Sequence, residues 1–127
     1  MSKIDEAKEI LSALGLPNAQ QNEVAALTLL ALCGIHEKNK WSEAKRQSLG
    51  LSRGIMAFIT QKHNKTYAPN TRETIRKEVL HQFVQGSIAD KNPDKPNLPV
   101  NSPLTHYAIN EVALEAIKKY GSKFSLS

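Results

Sequence analysis

The sequence predicts a mainly α-helical fold of about five to six helices with one small β-hairpin. Three observations carry this reading. Apolar residues recur at helical spacing through most of the chain. A loop holding Pro93, Pro96, Pro99 and Pro103 is flanked by short segments suited to strands. The elements also run in the order helix, short turn, helix, hairpin, the layout of a winged helix-turn-helix.

A length of 127 residues suits one domain, 1–127, with a core of its own. Residues 3–14 form the first expected helix, with Ile4, Ala7, Ile10, Leu11 and Leu14 inward and Gly15 at its end. Asp5 and Glu6 occupy its first turn, where the macrodipole favours carboxylates. The second helix starts at Ala19 or Asn22 and runs to Gly34; its broad Leu/Ala face makes it the central buried helix. Trp41 is expected to anchor a short turn capped by Ser42. Ser52 is expected to cap a helix over 53–63, with Ile55, Met56, Phe58 and Ile59 inward.

Residues 67–86 organise the rest. Pro69 favours extended geometry upstream, Asn70 suits an N-cap, and Glu73 is spaced to complete a capping box. Ile75, Val79 and Phe83 lie on one line with Leu80 beside them, and Gly86 is a natural stop. Thr74, Lys77, Glu78, His81 and Gln85 face the other way. Arg76 projects close to the apolar line, so it either reads DNA or lies along the core with its head snorkelling or paired to a carboxylate. The helix-turn-helix thus spans about 53–86 and the wing about 87–109, with strands starting near Ser87 and returning over Thr105–Ile109. A last helix, about 111–120, places Val112, Leu114, Ala116 and Ile117 on an apolar face; Gly121 ends it and Ser122–Ser127 trail as a frayed end or linker.

Charge is unevenly spread. Residues 1–40 carry a net −1, residues 41–85 a net +5 and residues 86–127 a net +1. Solubility does not require that clustering, whereas a phosphate backbone attracts it. Thr71, Arg72, Thr74, Arg76, Lys77 and His81 are the candidate groove-facing residues of the 71–85 helix. Lys65 and Tyr67 at the turn, and Lys91 and Lys95 on the wing, are candidate backbone contacts.

Catalytic chemistry is not expected of these residues. His36, His63, His81 and His106 lack zinc-site spacing, and no glycine-rich phosphate loop occurs. Pro93-Asp94 and the triplets Glu6-Ala7-Lys8 and Glu43-Ala44-Lys45 supply pieces of a nuclease motif. Both triplets precede the aspartate, and neither lies on a strand that could bring carboxylates around Mg²⁺. No catalytic and no metal residue is therefore assigned. A single cysteine, Cys33, excludes an internal disulfide, and no apolar run reaches membrane-spanning length, so a cytoplasmic protein without membrane contact is expected.

The chain resembles the N-terminal domain of the BsuBI/PstI type II restriction endonuclease family. The resemblance is carried by Leu14-Gly15-Leu16-Pro17 with Gln20-Gln21-Asn22-Glu23, and by the Ala26–Leu32 run. Its longest stretch is Tyr67-Ala68-Pro69-Asn70-Thr71-Arg72-Glu73-Thr74, continuing through Arg76 to His81-Gln82-Phe83-Val84. Asn92-Pro93-Asp94, Pro99-Val100-Asn101-Ser102-Pro103 and Tyr107 extend it. The resemblance implies a helix-turn-helix domain that engages double-stranded DNA, with CTGCAG as the target. It also implies a C-terminal nuclease domain of the PD-(D/E)xK type using Mg²⁺, for which this chain has no matching residues. The chain is then expected to be a fragment of such an enzyme or a free-standing relative. A palindromic target favours a homodimer. The alternative functions are a winged-helix module for protein docking or a free-standing DNA-binding regulator.

Overall fold

The computed structural model describes residues 2–99 and 102–120. Helix α1 (Lys3–Ala13) starts where the Ser2 side chain accepts from the Asp5 amide. Helix α2 (Glu23–Cys33) is capped by Asn22, whose Oδ1 accepts from the Ala25 amide at 2.9 Å. Gly34 closes α2 at φ +68°, a left-handed geometry that glycine adopts without a Cβ clash. All nine residues Ala25–Cys33 are buried, so α2 is the rod around which the others pack. Burial pushes the Cys33 thiol up to about 12.

Helix α3 spans residues 51–63, opening with a π-helical segment, Leu51–Met56, before the α-helical Ala57–His63. Helix α4 spans residues 71–85 and is interrupted in the same way, with π-helical Ile75–Leu80 between Thr71–Thr74 and His81–Gln85. Ile75, Val79, Leu80 and Phe83 of α4 enter the core, as the apolar stripe predicts. Strands β1 (Ala89–Lys91) and β2 (Tyr107–Ile109) form an antiparallel hairpin pairing Ala89 with Ile109 and Lys91 with Tyr107. Leu49 adds a bridge to the free edge of β2, exchanging two 2.8 Å hydrogen bonds with Tyr107. The backbone of α3 approaches that bridge at Gly54, where an added Cβ would lie 2.9 Å from the Leu49 Cβ. Helix α5 (Glu111–Lys118) begins at Asn110, whose Oδ1 accepts from the Val112 and Ala113 amides. The fold is mainly helical and winged-helix-like, as the order of elements predicts.

Trp41 is 3% exposed and fills its anchoring role. Its indole N–H donates to Glu6 at 2.8 Å and its ring meets Tyr120 edge to face, joining α1 to the far end of the chain.

Several local expectations fail. Asn70 sits in a helical conformation and makes no side-chain cap, so the capping box with Glu73 does not form. The entry to α4 is already a turn, and the Ala68, Pro69 and Asn70 carbonyls take the amides of Thr71, Arg72 and Glu73. Ser52 lies inside α3, which starts at Leu51, and Ser42 lies inside the Trp41–Glu43 turn; that turn is closed by the Glu43 carboxylate on the Lys40 amide. Ser87 takes φ +59° and turns the chain, delaying β1 to Ala89. Val112 is 80% exposed, because α5 rests on the core through Ala113 and Ile117 on a narrower side. The expectations for Gly121 and Ser122–Ser127 lie outside the described residues.

Candidate functional site

The first turn of α3, the N-terminal half of α4 and the hairpin enclose an open groove of about 630 Å³. Arg53, Arg72, Arg76 and Lys91 line it, and Glu73 is its single carboxylate. A second hollow of about 330 Å³ adjoins it along α4, lined by Arg76, Lys77, Leu80, His81, Val84, Lys91 and Tyr107. Arg76, Lys91 and Tyr107 border both. Arg76, Leu80 and Val84, spaced four apart along α4, all line the second hollow.

Each cation is held differently. Arg72 Nε donates to the Ser52 hydroxyl at 2.8 Å, tying α4 to α3. Arg76 meets Glu73 through two bonds, Nε to Oε1 at 3.2 Å and Nη2 to Oε2 at 2.7 Å. Lys77 stands 3.7 Å from the same carboxylate. Arg76 holds Glu73 below the usual carboxylate range, and Glu73 in turn raises Arg76. Arg76 thus takes the carboxylate-paired alternative, with its head at the groove and not in the core. Burial pushes the Tyr107 phenol up while the nearby Arg76 pulls against it.

The structure brings Arg72, Arg76, Lys77, His81 and Lys91 together around these two hollows. Thr71 is half-buried and Thr74 exposed, and neither lines the groove. Lys65 pairs with Glu23 at 3.3 Å, at the start of α2. Burial and the same Glu23 push the Tyr67 phenol up, and the Lys65–Glu23 pair links the α3–α4 turn to α2. Lys95 is exposed beyond the groove, in a turn closed by its amide on the Asn92 carbonyl. Asn92 organises that turn from φ +49°, and His106 closes it by pairing with Asp94. The Leu104 carbonyl and then Asp94 raise His106.

Sequence reasoning missed Arg53, Glu73 and Tyr107 as groove residues. Arg53 follows the serine read as a cap, which placed it at a helix end and not on a wall. Tyr107 reaches the site through the Leu49 bridge, between residues far apart in the chain. Arg46 was also missed; it fixes the hairpin by donating to the Ile109 carbonyl at 2.9 Å and pairing with Asp90 at 3.1 Å. Among the described residues, no group of three or more His, Cys, Asp or Glu is placed to hold a metal ion. No helix among them is long and apolar enough to cross a membrane.

A winged-helix-like fold with a cationic groove between two helices and a hairpin defines a helix-turn-helix class of domain. The chain matches the BsuBI/PstI restriction endonuclease HTH domain over residues 1–124 and belongs to that family, the N-terminal domain of type II restriction endonucleases. It is 48% identical over 122 residues to the type II restriction enzyme BsuBI of Bacillus subtilis, covering 96% of this chain and 38% of that protein. It is 38% identical over 117 residues to the type II restriction enzyme AplI of Arthrospira platensis, covering 92% and 36% respectively. Among solved structures, SdaI restriction endonuclease superposes with a TM-score of 0.88 at 35% identity, over 94% of this chain and 37% of that one. The chain spans well under half the length of each of these relatives.

Proposed function

We propose that this chain is the duplex-DNA-binding domain of a type II restriction endonuclease. The observation that carries the reading is the groove in which four cations face a single carboxylate. Helix α4 enters the major groove by its N-terminal turns, with Arg72, Arg76, Lys77 and His81 outward and Thr71 and Thr74 at the margin. Arg53 enters the same surface from α3, and Lys91 and Lys95 hold the sugar–phosphate backbone from the hairpin. The target is CTGCAG or a close relative, and a two-fold dimer matches its palindrome. Cleavage and its Mg²⁺ belong to a nuclease domain elsewhere in such an enzyme, which acts in the cytoplasm.

Titrating a CTGCAG duplex and a scrambled duplex, with Mg²⁺ present to reveal any cutting, tests this. Three to five phosphate contacts predict affinity falling roughly 40- to 500-fold between about 50 and 200 mM salt. Arg72→Ala and Lys77→Ala should each reduce that salt slope by about one. Absence of duplex binding at low salt would overturn the reading. It would favour a docking role instead, for which exposed Val112 on α5 is the observation.

A further inference from the structure

Glu73 stands out within the proposed DNA-binding surface. A carboxylate in a groove that attracts phosphates weakens that attraction, yet this one is held firmly and stays half-exposed, at 49% of its side chain. It lies in the first turn of α4 but caps no amide there; its two oxygens are turned to Arg76 instead.

The way Arg76 is gripped matters. Glu73 takes the side edge of the guanidinium, Nε with Nη2. The end edge, Nη1 with the second hydrogen of Nη2, makes no other hydrogen bond among the described residues. That end edge presents two parallel N–H donors, the fork that matches O6 and N7 of guanine. A free arginine spreads over many rotamers and takes any phosphate; one clamped along its side edge has already lost that freedom. The half-exposed Arg76 borders both hollows, so its end edge has room for a base.

We infer that Glu73 is a specificity-determining positioning residue: it clamps Arg76 so that the end edge of the guanidinium reads a guanine in the major groove, while its own charge discourages phosphate binding there. The inference rests on the DNA-binding reading above.

The test compares the CTGCAG duplex with the same duplex carrying 7-deazaguanine, which lacks the N7 acceptor. Wild-type protein should lose roughly tenfold in affinity on that change. Glu73→Gln should lose less than about twofold, bind the scrambled duplex more tightly than wild type, and gain about one in salt slope. Arg76→Lys should also become insensitive to 7-deazaguanine while keeping the wild-type salt slope, because it retains the charge without the fork. Wild-type binding that is salt-dependent but indifferent to 7-deazaguanine would overturn the inference and leave DNA binding standing. Full sensitivity in Glu73→Gln would do the same. Absence of any low-salt duplex binding by wild type would overturn both.

Discussion

Helices α2 and α4 pack on each other, and they are built on opposite plans. In α2 every residue from Ala25 to Cys33 is buried, and both ends are closed by its own sequence, Asn22 at one and Gly34 at the other. In α4 only Ile75, Val79, Leu80 and Phe83 are buried, no side chain caps the start, and the middle is π-helical. What α4 presents outward is held partly from outside: Ser52 of α3 holds Arg72, Glu73 of α4 itself grips Arg76, and Lys91 and Tyr107 of the hairpin line the hollow beside Arg76. A helix that makes the core can be specified locally. A helix that makes a binding surface is specified in part by what surrounds it.

The sharpest way to break this contrast is through their buried faces. Leu30 and Phe83 are both fully buried. Leu30→Ala should cost about 2–5 kcal/mol and Phe83→Ala about 3–5 kcal/mol, by lost transfer energy plus the cavity left behind. Glu78→Ala, on the exposed side of α4, should change stability by less than about 0.5 kcal/mol. Denaturant unfolding measures all three. If Glu78→Ala matched Phe83→Ala, α4 would be a core helix all round and the two plans would collapse into one.

The same contrast explains what could be read from the sequence. The burial of α2 and its end at Gly34 follow from a Leu/Ala run closed by a glycine, and of the two starts the sequence offered, Ala19 and Asn22, the structure takes Asn22 as the N-cap. The buried stripe of α4 was equally legible from Ile75, Val79, Leu80 and Phe83. Its start was misread, because Asn70-x-x-Glu73 fits a capping box in spacing but not in backbone conformation. Of the candidate site, Arg72, Arg76, Lys77, His81 and Lys91 were legible as cations or polar residues on an outer face. Arg53 and Tyr107 were not, since the Leu49–Tyr107 bridge that assembles the groove leaves no local pattern. Lys65 and Tyr67 were legible as turn residues, whereas the Glu23 that lies beside them in the fold was not.

Caps give a smaller effect on the same axis. Asn22→Ala removes a bond of 2.9 Å to the Ala25 amide and should cost about 1 kcal/mol. Asn70→Ala removes no cap, and its cost should stay within a few tenths of a kcal/mol, the ordinary range for an exposed site. Paired melting curves decide between them. Equal losses would mean that Asn70 caps α4 in solution after all, and that its start is as locally specified as that of α2.

The smallest effect concerns the charges. Cys33 in α2 is pushed up to about 12 by burial alone, whereas Glu73 in α4 is lowered chiefly by its bond to Arg76. A carboxyl group with a depressed folded value adds stability that is present above its unfolded value and lost as pH falls through the folded one. The Glu73–Arg76 pair is open to solvent, so that contribution is screened and the melting temperature should barely register it. The site itself should register it clearly. In a carboxyl NMR titration Glu73 should titrate below the usual range in wild type and return toward it in Arg76→Ala, with the fold unchanged. As Glu73 takes its proton, the clamp on Arg76 opens and the groove gains one net positive charge. A Glu73 titration indifferent to Arg76→Ala would show that the pair does not hold in solution.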